Sequence, residues 1–319
     1  FGINSITFSP NGKYLASLGV SNDGYLNVWK INNGANFGVT LIGSNKCTSI
    51  VNNMIWLNDT IFTFGLRHLK AWKLDLNSSL INLKTLNVIR GKNVVLAELL
   101  SENFTELKLV RNQKSGESKI LVLTESGILC SIELEALNIT PLMKFKNKIS
   151  TFYVDDFQDL LWYEELKINE GNTSSNCLKS VKLSELFEMK FSLDHDDFTR
   201  NSLVAILSNN GKKITKPSSE VLSIVKAGDD KLFYVSQDEI NIYCQSSKTS
   251  TNLIEPVFKY ISGVKKISSA NSLLLWSENG DLAQIGYPGS TENNKGIDPN
   301  KLQIHSNQKF NLVDSMNDS

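Results

Sequence analysis

The sequence is poor in the residue types that build catalytic and metal centres. Its 319 residues include three histidines, His68, His195 and His305, and four cysteines, Cys47, Cys130, Cys177 and Cys244. The cysteines lie far apart, with no Cys-x-x-Cys pair and no histidine cluster, which argues against a zinc site. They read as small buried apolar residues, kept reduced inside a cell. A surplus of one charge is missing too. Lys+Arg and Asp+Glu number 33 each, so the formal net charge is zero. That argues against a strongly basic nucleic-acid binder, because neutralising phosphates takes an excess of Lys and Arg; only a local basic patch remains compatible. No apolar run reaches the ~20 residues of a membrane span, and no signal peptide is visible. The chain opens at Phe1 rather than Met, directly in a strand-like segment, and is read as an excerpt of a longer protein.

What is present is a series of short apolar, β-branched and aromatic runs separated by tight turns, with little helical periodicity. Such spacing indicates an all-β sandwich, barrel or propeller, and internal repetition decides among them. One unit recurs: an apolar strand, a short polar turn, a second apolar strand. It appears as Lys13–Val20, Ser21–Gly24 and Tyr25–Trp29, then as Thr60–Gly65, Leu66–His68 and Leu69–Trp72. It returns at Lys119–Thr124 with Ile128–Ile132, at Lys231–Ser236 with Glu239–Tyr243, and at Ser272–Trp276 with Asp281–Ile285. Asn, Asp and Gly fill the turns because the chain reverses within a few residues, often at positive φ. Upstream of most units lies a further strand: Ile3–Phe8, Ser49–Trp56, Phe104–Val110, Ile149–Val154, Val221–Val225 and Val264–Ile267. Val39–Ile42 and Leu142–Phe145 read as fourth strands.

Four strands per unit make a propeller blade. The second strands begin at Tyr14, Ile61, Ile120, Leu160, Leu232 and Leu273, at intervals of 47, 59, 40, 72 and 41 residues. The short intervals match the ~40–45-residue period of WD blades. The long ones require insertions near 76–100 and 166–217, and the second could hide a seventh blade built from Leu178–Leu183, Glu188–Leu193 and Ser202–Leu207. The expected architecture is an all-β WD-type β-propeller of six to seven four-stranded blades over 1–287. A polar flexible tail or linker follows over 288–319, from which Lys301–His305 could supply an edge strand.

Two resemblances support this reading. Ile6–Gly19 with Asn27–Trp29 resembles a WD repeat, most clearly in the Phe8–Leu15 turn. The defining Trp-Asp pair is replaced by Trp29-Lys30 and Trp72-Lys73, and no unit has the family's His–Asp pair. The tryptophans are still expected to pack between blades, while loss of the hydrogen-bond network is expected to make the blades less regular. Phe64–Trp72 is similar to echinoderm-microtubule-associated-protein-like propellers and to mitogen-activated-protein-kinase-binding, spindle-associated WD-repeat scaffolds. Arg90–Leu99, Asn103–Thr105 and Leu123–Cys130 resemble the second group. The resemblance implies a divergent, perhaps fungal, scaffold acting in mitosis or kinase signalling.

Chemistry is weighed against plain structure. Asp194–Asp197, which contains His195, mimics a metal ligand set but reads as a solvated loop. Asp155, Asp156, Asp159, Glu164 and Glu165 mimic paired carboxylates and read as a surface coating of one blade. The phosphate-loop spacing is absent around Gly12 and Gly211. Lys212, Lys213 and Lys216 read as a solvated basic loop. Asn172–Ser174 is a glycosylation pattern without meaning inside a cell. The expectation is therefore a non-enzymatic scaffold with protein partners, no cofactor, no metal, no small-molecule substrate, no membrane and no nucleic acid. Its expected location is cytoplasmic, at the cytoskeleton or spindle pole, with a nuclear location also open; the alternative is a subunit of a nucleolar ribosome-biogenesis or chromatin complex. Rigid strands position variable loops, so partner contact is expected at the turns between second and third strands: Asn22, Asp23, Arg67, His68, Glu125, Gln237, Asp238, Glu278 and Asn279.

Overall fold

A computed structural model describes residues 2–32, 38–74, 87–111, 118–145, 147–168, 174–188, 221–226, 231–247, 249–254, 260–267, 272–277, 279–286 and 303–309. The described residues form six antiparallel sheets, divided between two compact units.

The first unit holds three sheets. Sheet 1 comprises β1 (Ile3–Phe8), β2 (Tyr14–Gly19), β3 (Tyr25–Asn32) and β4 (Gly38–Lys46). Sheet 2 comprises β5 (Asn53–Leu57), β6 (Thr60–Gly65), β7 (His68–Lys73) and β9 (Arg90–Asn93). The short β8 (Asn87–Val88) lies parallel to the edge of β4. Sheet 3 comprises β10 (Phe104–Arg111), β11 (Ser118–Thr124), β12 (Ile128–Glu133) and β13 (Ile139–Lys144). In the second unit, sheet 4 comprises β14 (Lys148–Asp155), β15 (Leu160–Ile168) and β16 (Ser174–Lys182), followed by the short helix α1 (Leu183–Glu188). Sheet 5 comprises β17 (Val221–Lys226), β18 (Lys231–Ser236), β19 (Ile240–Cys244) and β20 (Thr249–Ile254). Sheet 6 comprises β21 (Ile261–Ile267), β22 (Ser272–Ser277), β23 (Asp281–Gly286) and β24 (Gln303–Lys309).

The sequence dictates these sheets through residues that tolerate burial on both faces. All six residues of β6 are buried, and they are β-branched or aromatic apart from Gly65, as a strand covered on both sides requires. Successive side chains point to opposite faces, so each central strand carries two apolar rows. We call them the leading and trailing faces. The leading face of sheet 1 (Ala16, Leu18, Leu26, Val28) clusters with the trailing face of sheet 2 (Met54, Trp56, Ile61, Trp72). The leading face of sheet 2 (Phe62, Phe64, Leu69, Ala71) clusters with Leu107, Ile120, Val122 and Ile132 of sheet 3. The second unit repeats the scheme. Trp162 and Leu178 of sheet 4 meet Ile224, Leu232, Tyr234 and Tyr243 of sheet 5. Phe233, Val235, Ile240 and Ile242 of sheet 5 meet Val264, Leu273, Leu275 and Ile285 of sheet 6.

Equivalent registers recur: Leu15 opposes Trp29, Ile61 opposes Trp72, Ile120 opposes Ile132, Leu232 opposes Tyr243, and Leu273 opposes Ile285. One large side chain therefore fills the same trailing-face slot in five sheets. Emptying such a slot costs about 3–5 kcal/mol for Trp→Ala.

Three details differ from the sequence reading. Arg90–Asn93, inside the expected 76–100 insertion, is the fourth strand of sheet 2. Leu178–Lys182, considered as the start of an extra blade, belongs to the third strand of sheet 4; residues 189–220 lie outside the described residues. In the polar 288–319 stretch, where an edge strand was expected from Lys301–His305, Gln303–Lys309 pairs with β23 as a fourth strand.

Candidate functional site

The turns between second and third strands place the site. In four of them the residue just before the third strand has a left-handed backbone: Gly24 at φ 59°, Arg67 at 55°, Gly127 at 82° and Gly280 at 81°. Glycine adopts this conformation freely, whereas an L-residue loses about 1–2 kcal/mol there. Arg67 thus holds a position that its three counterparts give to glycine. Hydroxyl and carboxylate groups brace the reversals. The Tyr25 N–H donates to Asp23 Oδ1 at 2.8 Å, the Ile128 N–H to Thr124 Oγ1 at 3.0 Å, and the Asp281 N–H to Ser277 Oγ at 3.2 Å.

In the first unit these turns are knitted to the entrances of the neighbouring first strands. The Arg67 N–H donates to the Glu102 carbonyl at 2.9 Å, and Leu66 bridges to Asn103. Asn52 Nδ2 donates to Asn103 Oδ1 at 2.6 Å and to the Phe104 carbonyl at 3.0 Å. Asn103 Nδ2 in turn donates to Glu125 Oε2 at 2.9 Å, and Ser126 Oγ donates to Glu102 Oε2 at 2.7 Å. Asn4 Nδ2 bonds the Val51 carbonyl at 3.1 Å, the same device one sheet earlier. Gly65 lies so close to this seam that a Cβ on it would sit 2.4 Å from the Ile50 carbonyl oxygen. Around the seam three large apolar side chains face solvent: Ile50 (59% exposed), Leu66 (42%) and Leu100 (63%). The result is a rigid edge where apolar tips stand among Arg67, Glu102, Asn103 and Glu125. That is the composition of a protein-docking surface: apolar anchors inside a polar rim.

The expected contact residues are the polar residues of these turns; Ile50, Leu66 and Leu100 were not among them. Asn22, Arg67, Glu125, Gln237, Asp238 and Asn279 are exposed, Asp23 is half-buried, and Glu278 lies outside the described residues. The structure joins Arg67 and Glu125 through Glu102, Asn103 and Ser126. Gln237 is tied to the second unit's last sheet by the Ile261 N–H donating to its carbonyl at 3.0 Å. Ile50, Leu66 and Leu100 carried one available signal: large apolar residues within turns.

His68 requires a correction. It is buried, the first residue of β7, and not available to a partner. Thr63 Oγ1 lies 2.8 Å from His68 Nε2 and accepts the Trp72 Nε1–H at 2.8 Å; Cys47 Sγ lies 3.7 Å from the same ring nitrogen. Burial, with help from the Lys70 charge, lowers the His68 pKa from 6.5 to about 4. The ring is therefore neutral near pH 7, and we assign Nε2 as acceptor of the Thr63 hydroxyl proton. The expected loss of the polar network is corrected with it. Sheet 2 keeps a Trp–Thr–His chain without Asp, and sheet 1 keeps Trp29 Nε1–H donating to Ser17 Oγ at 2.9 Å.

The acidic run of the fourth sheet is also not a surface coating. Asp155, Glu164 and Glu165 are buried. Lys179 Nζ pairs with Glu165 Oε2, while Asn147 Nδ2 donates to Glu165 Oε1 at 2.7 Å. Glu164 accepts the Val221 N–H at 3.2 Å and the Ser150 hydroxyl. Lys226 Nζ pairs with Asp155 Oδ2 at 2.7 Å. Buried charges persist only with such partners; these carboxylates are structural. Cys47 and Cys130 are buried thiols, Cys130 pushed up to about 12 by burial and then by Glu102, but Cys244 is half-buried. Among the described residues no group of three His, Cys, Asp or Glu side chains is placed to hold a metal ion, and no helix is long and apolar enough to cross a membrane. His195, Lys212, Lys213 and Lys216 lie outside the described residues.

No protein-family model matches the chain, and no curated protein does. Solved structures do. The Dos1 propeller superposes with a TM-score of 0.57 at 10% identity, covering 89% of this chain and 67% of that one. A chain of the mitotic checkpoint complex superposes with a TM-score of 0.56 at 8% identity, covering 97% of this chain and 80% of that one. With its repeating four-stranded antiparallel sheets, the chain has the fold of an all-β WD-type propeller.

Proposed function

We propose that the chain is a non-enzymatic scaffold that docks other proteins on the second-to-third-strand turn face of its first unit. The observation that carries this reading is the rigid Asn52–Asn103–Glu125 seam with Ile50, Leu66 and Leu100 exposed beside it. Exposed apolar side chains set among hydrogen-bonded polar groups have the composition of an interaction site. The resemblance of Phe64–Trp72, Arg90–Leu99, Asn103–Thr105 and Leu123–Cys130 to spindle-associated and kinase-binding scaffolds, and the likeness to a chain of a mitotic checkpoint complex, support a role in spindle or kinase-signalling assemblies. A cytoplasmic site at the spindle pole or cytoskeleton belongs to the same proposal.

The test is affinity recovery from cells with tagged wild type, Leu66→Asp and Leu100→Asp. Lys13→Ala, an exposed residue by the first-to-second-strand turn at the other end of sheet 1, serves as control. The two face variants should lose the same partner while Lys13→Ala retains it. Equal recovery by all four chains contradicts the docking face. Imaging of the tagged chain decides the setting: spindle or cytoskeletal foci support it, and nucleolar signal replaces it with a ribosome-biogenesis role.

A further inference from the structure

The far ends of the first strands carry different residues in the two units. In the first unit the position opposite the start of the second strand is apolar: Phe8 opposes Leu15, Trp56 opposes Ile61 and Leu109 opposes Ile120. Sheets 5 and 6 put a lysine in that register. Lys226 opposes Leu232, and Lys266 opposes Leu273. Residues directly opposite share a face, so both lysines stand on the trailing face beside these leucines. Leu232 packs toward sheet 4 and Leu273 toward sheet 5.

Lys226 has a counter-charge. Its Nζ reaches back to Asp155 Oδ2 of sheet 4 at 2.7 Å. Lys266 makes the same reach back to sheet 5 and meets a neutral group: its Nζ donates to the Lys226 carbonyl oxygen at 2.8 Å. Among the described residues no Asp or Glu pairs with Lys266. Asp229 and Asp230, which follow Lys226 in sequence, lie outside the described residues. Lys265 is exposed and stands on the opposite face of β21. Lys266 itself is half-buried, so its amine is partly stripped of water yet still open to small molecules. An ammonium there is disfavoured twice, by burial and then by the like charge of Lys226, and both lower its pKa from the ordinary lysine value.

We propose that Lys266 is a modification site, an amine that accepts acyl groups from thioesters. The Nζ lone pair attacks the thioester carbonyl carbon. The C–N bond forms, the C–S bond breaks, and the thiolate leaves with its electron pair. The proton lost from nitrogen passes to solvent, and nothing is oxidised or reduced. Lysines become nucleophiles in this way when they are desolvated or set beside another cation. The product amide is neutral, so acylation removes the unmatched charge from the slot, and its N–H can still donate to the Lys226 carbonyl. Lys226, held in its ion pair with Asp155, does not share the role.

The experiment treats the folded 319-residue chain with S-acetyl-N-acetylcysteamine, a small uncharged thioester that no cation recruits. Mass spectrometry follows acetylation at each lysine from about pH 7 to about pH 10. Near neutral pH Lys266 should react about threefold or more faster than the exposed Lys13 and Lys30. The lead should close toward about pH 10, where those amines lose their protons too. In denaturant the lead should vanish, because it comes from the fold. A folded chain in which Lys266 reacts no faster than Lys13 near neutral pH overturns the proposal. So does a lead that persists in denaturant, which traces it to neighbours in sequence. A lead that stays constant across the pH range overturns it as well, since it would reflect access to the reagent and not a freer lone pair.

Discussion

Arg67 offers a test that separates function from stability. Its φ of 55° is the conformation that Gly24, Gly127 and Gly280 hold at the same turn position. A non-glycine residue there costs about 1–2 kcal/mol, and glycine returns about 0.5–1 kcal/mol of that as greater freedom in the unfolded chain. Arg67→Gly should therefore raise stability by roughly 0.5–1 kcal/mol. Arg67→Ala keeps the unfavourable φ and should be neutral, because the exposed side chain has no packing to lose. Both substitutions remove the guanidinium from the seam, while the backbone bond from residue 67 to the Glu102 carbonyl survives in each. The two variants should thus lose partner binding equally but differ in stability by up to about 1 kcal/mol. Affinity recovery measures the first quantity and denaturant titration the second. Arg67→Gly that is destabilised, or that binds its partner as wild type does, refutes the idea that strain is retained here for binding.

Gly65→Ala should destabilise the chain by about 1–3 kcal/mol, because its Cβ meets backbone, the Ile50 carbonyl oxygen, which cannot swing aside; denaturant titration checks this. His68 makes stability pH-dependent. Its folded pKa of about 4 lies below the unfolded 6.5, so the unfolded chain binds the extra proton. Its contribution is complete above pH 6.5 and falls as pH drops toward 4, by about 1–3 kcal/mol; thermal melts of wild type and His68→Gln across that window measure the slope, which should be shallower in the variant. Lys179→Met should cost about 3–5 kcal/mol by leaving Glu165 buried without its cation, and Lys179→Met with Glu165→Leu should recover much of it; a double variant no better than the single removes the case for that pair.

The sheets were legible because each strand pair is bounded by its own turn chemistry. Asp23-Gly24, Ser126-Gly127 and Asn279-Gly280 mark reversals, and Tyr25–Trp29 or Ile240–Tyr243 carries the two-faced apolar pattern of a covered strand. The side-chain partners were less legible, because they depend on register between neighbours distant in sequence. His68 follows two turn residues and reads as a third; only the left-handed Arg67 reverses the chain early enough to make it the first residue of β7 and turn it inward. Glu164 and Glu165 read as surface because their partners Lys179, Asn147, Ser150 and Val221 come from other segments of the chain. Ile50 and Leu100 looked like ordinary apolar residues near strand starts; the structure leaves them exposed beside the seam that Asn52 and Asn103 bond.

Hydrogen exchange of the chain, free and saturated with the partner it recovers, tests the docking face most directly. Partner binding should slow exchange at residues 50–52, 65–67, 99–103 and 125–126 together, with no change at the first-to-second-strand turns 9–13 and 57–60. Protection confined to those opposite turns, or absent from the Asn52–Asn103–Glu125 seam, would contradict the account.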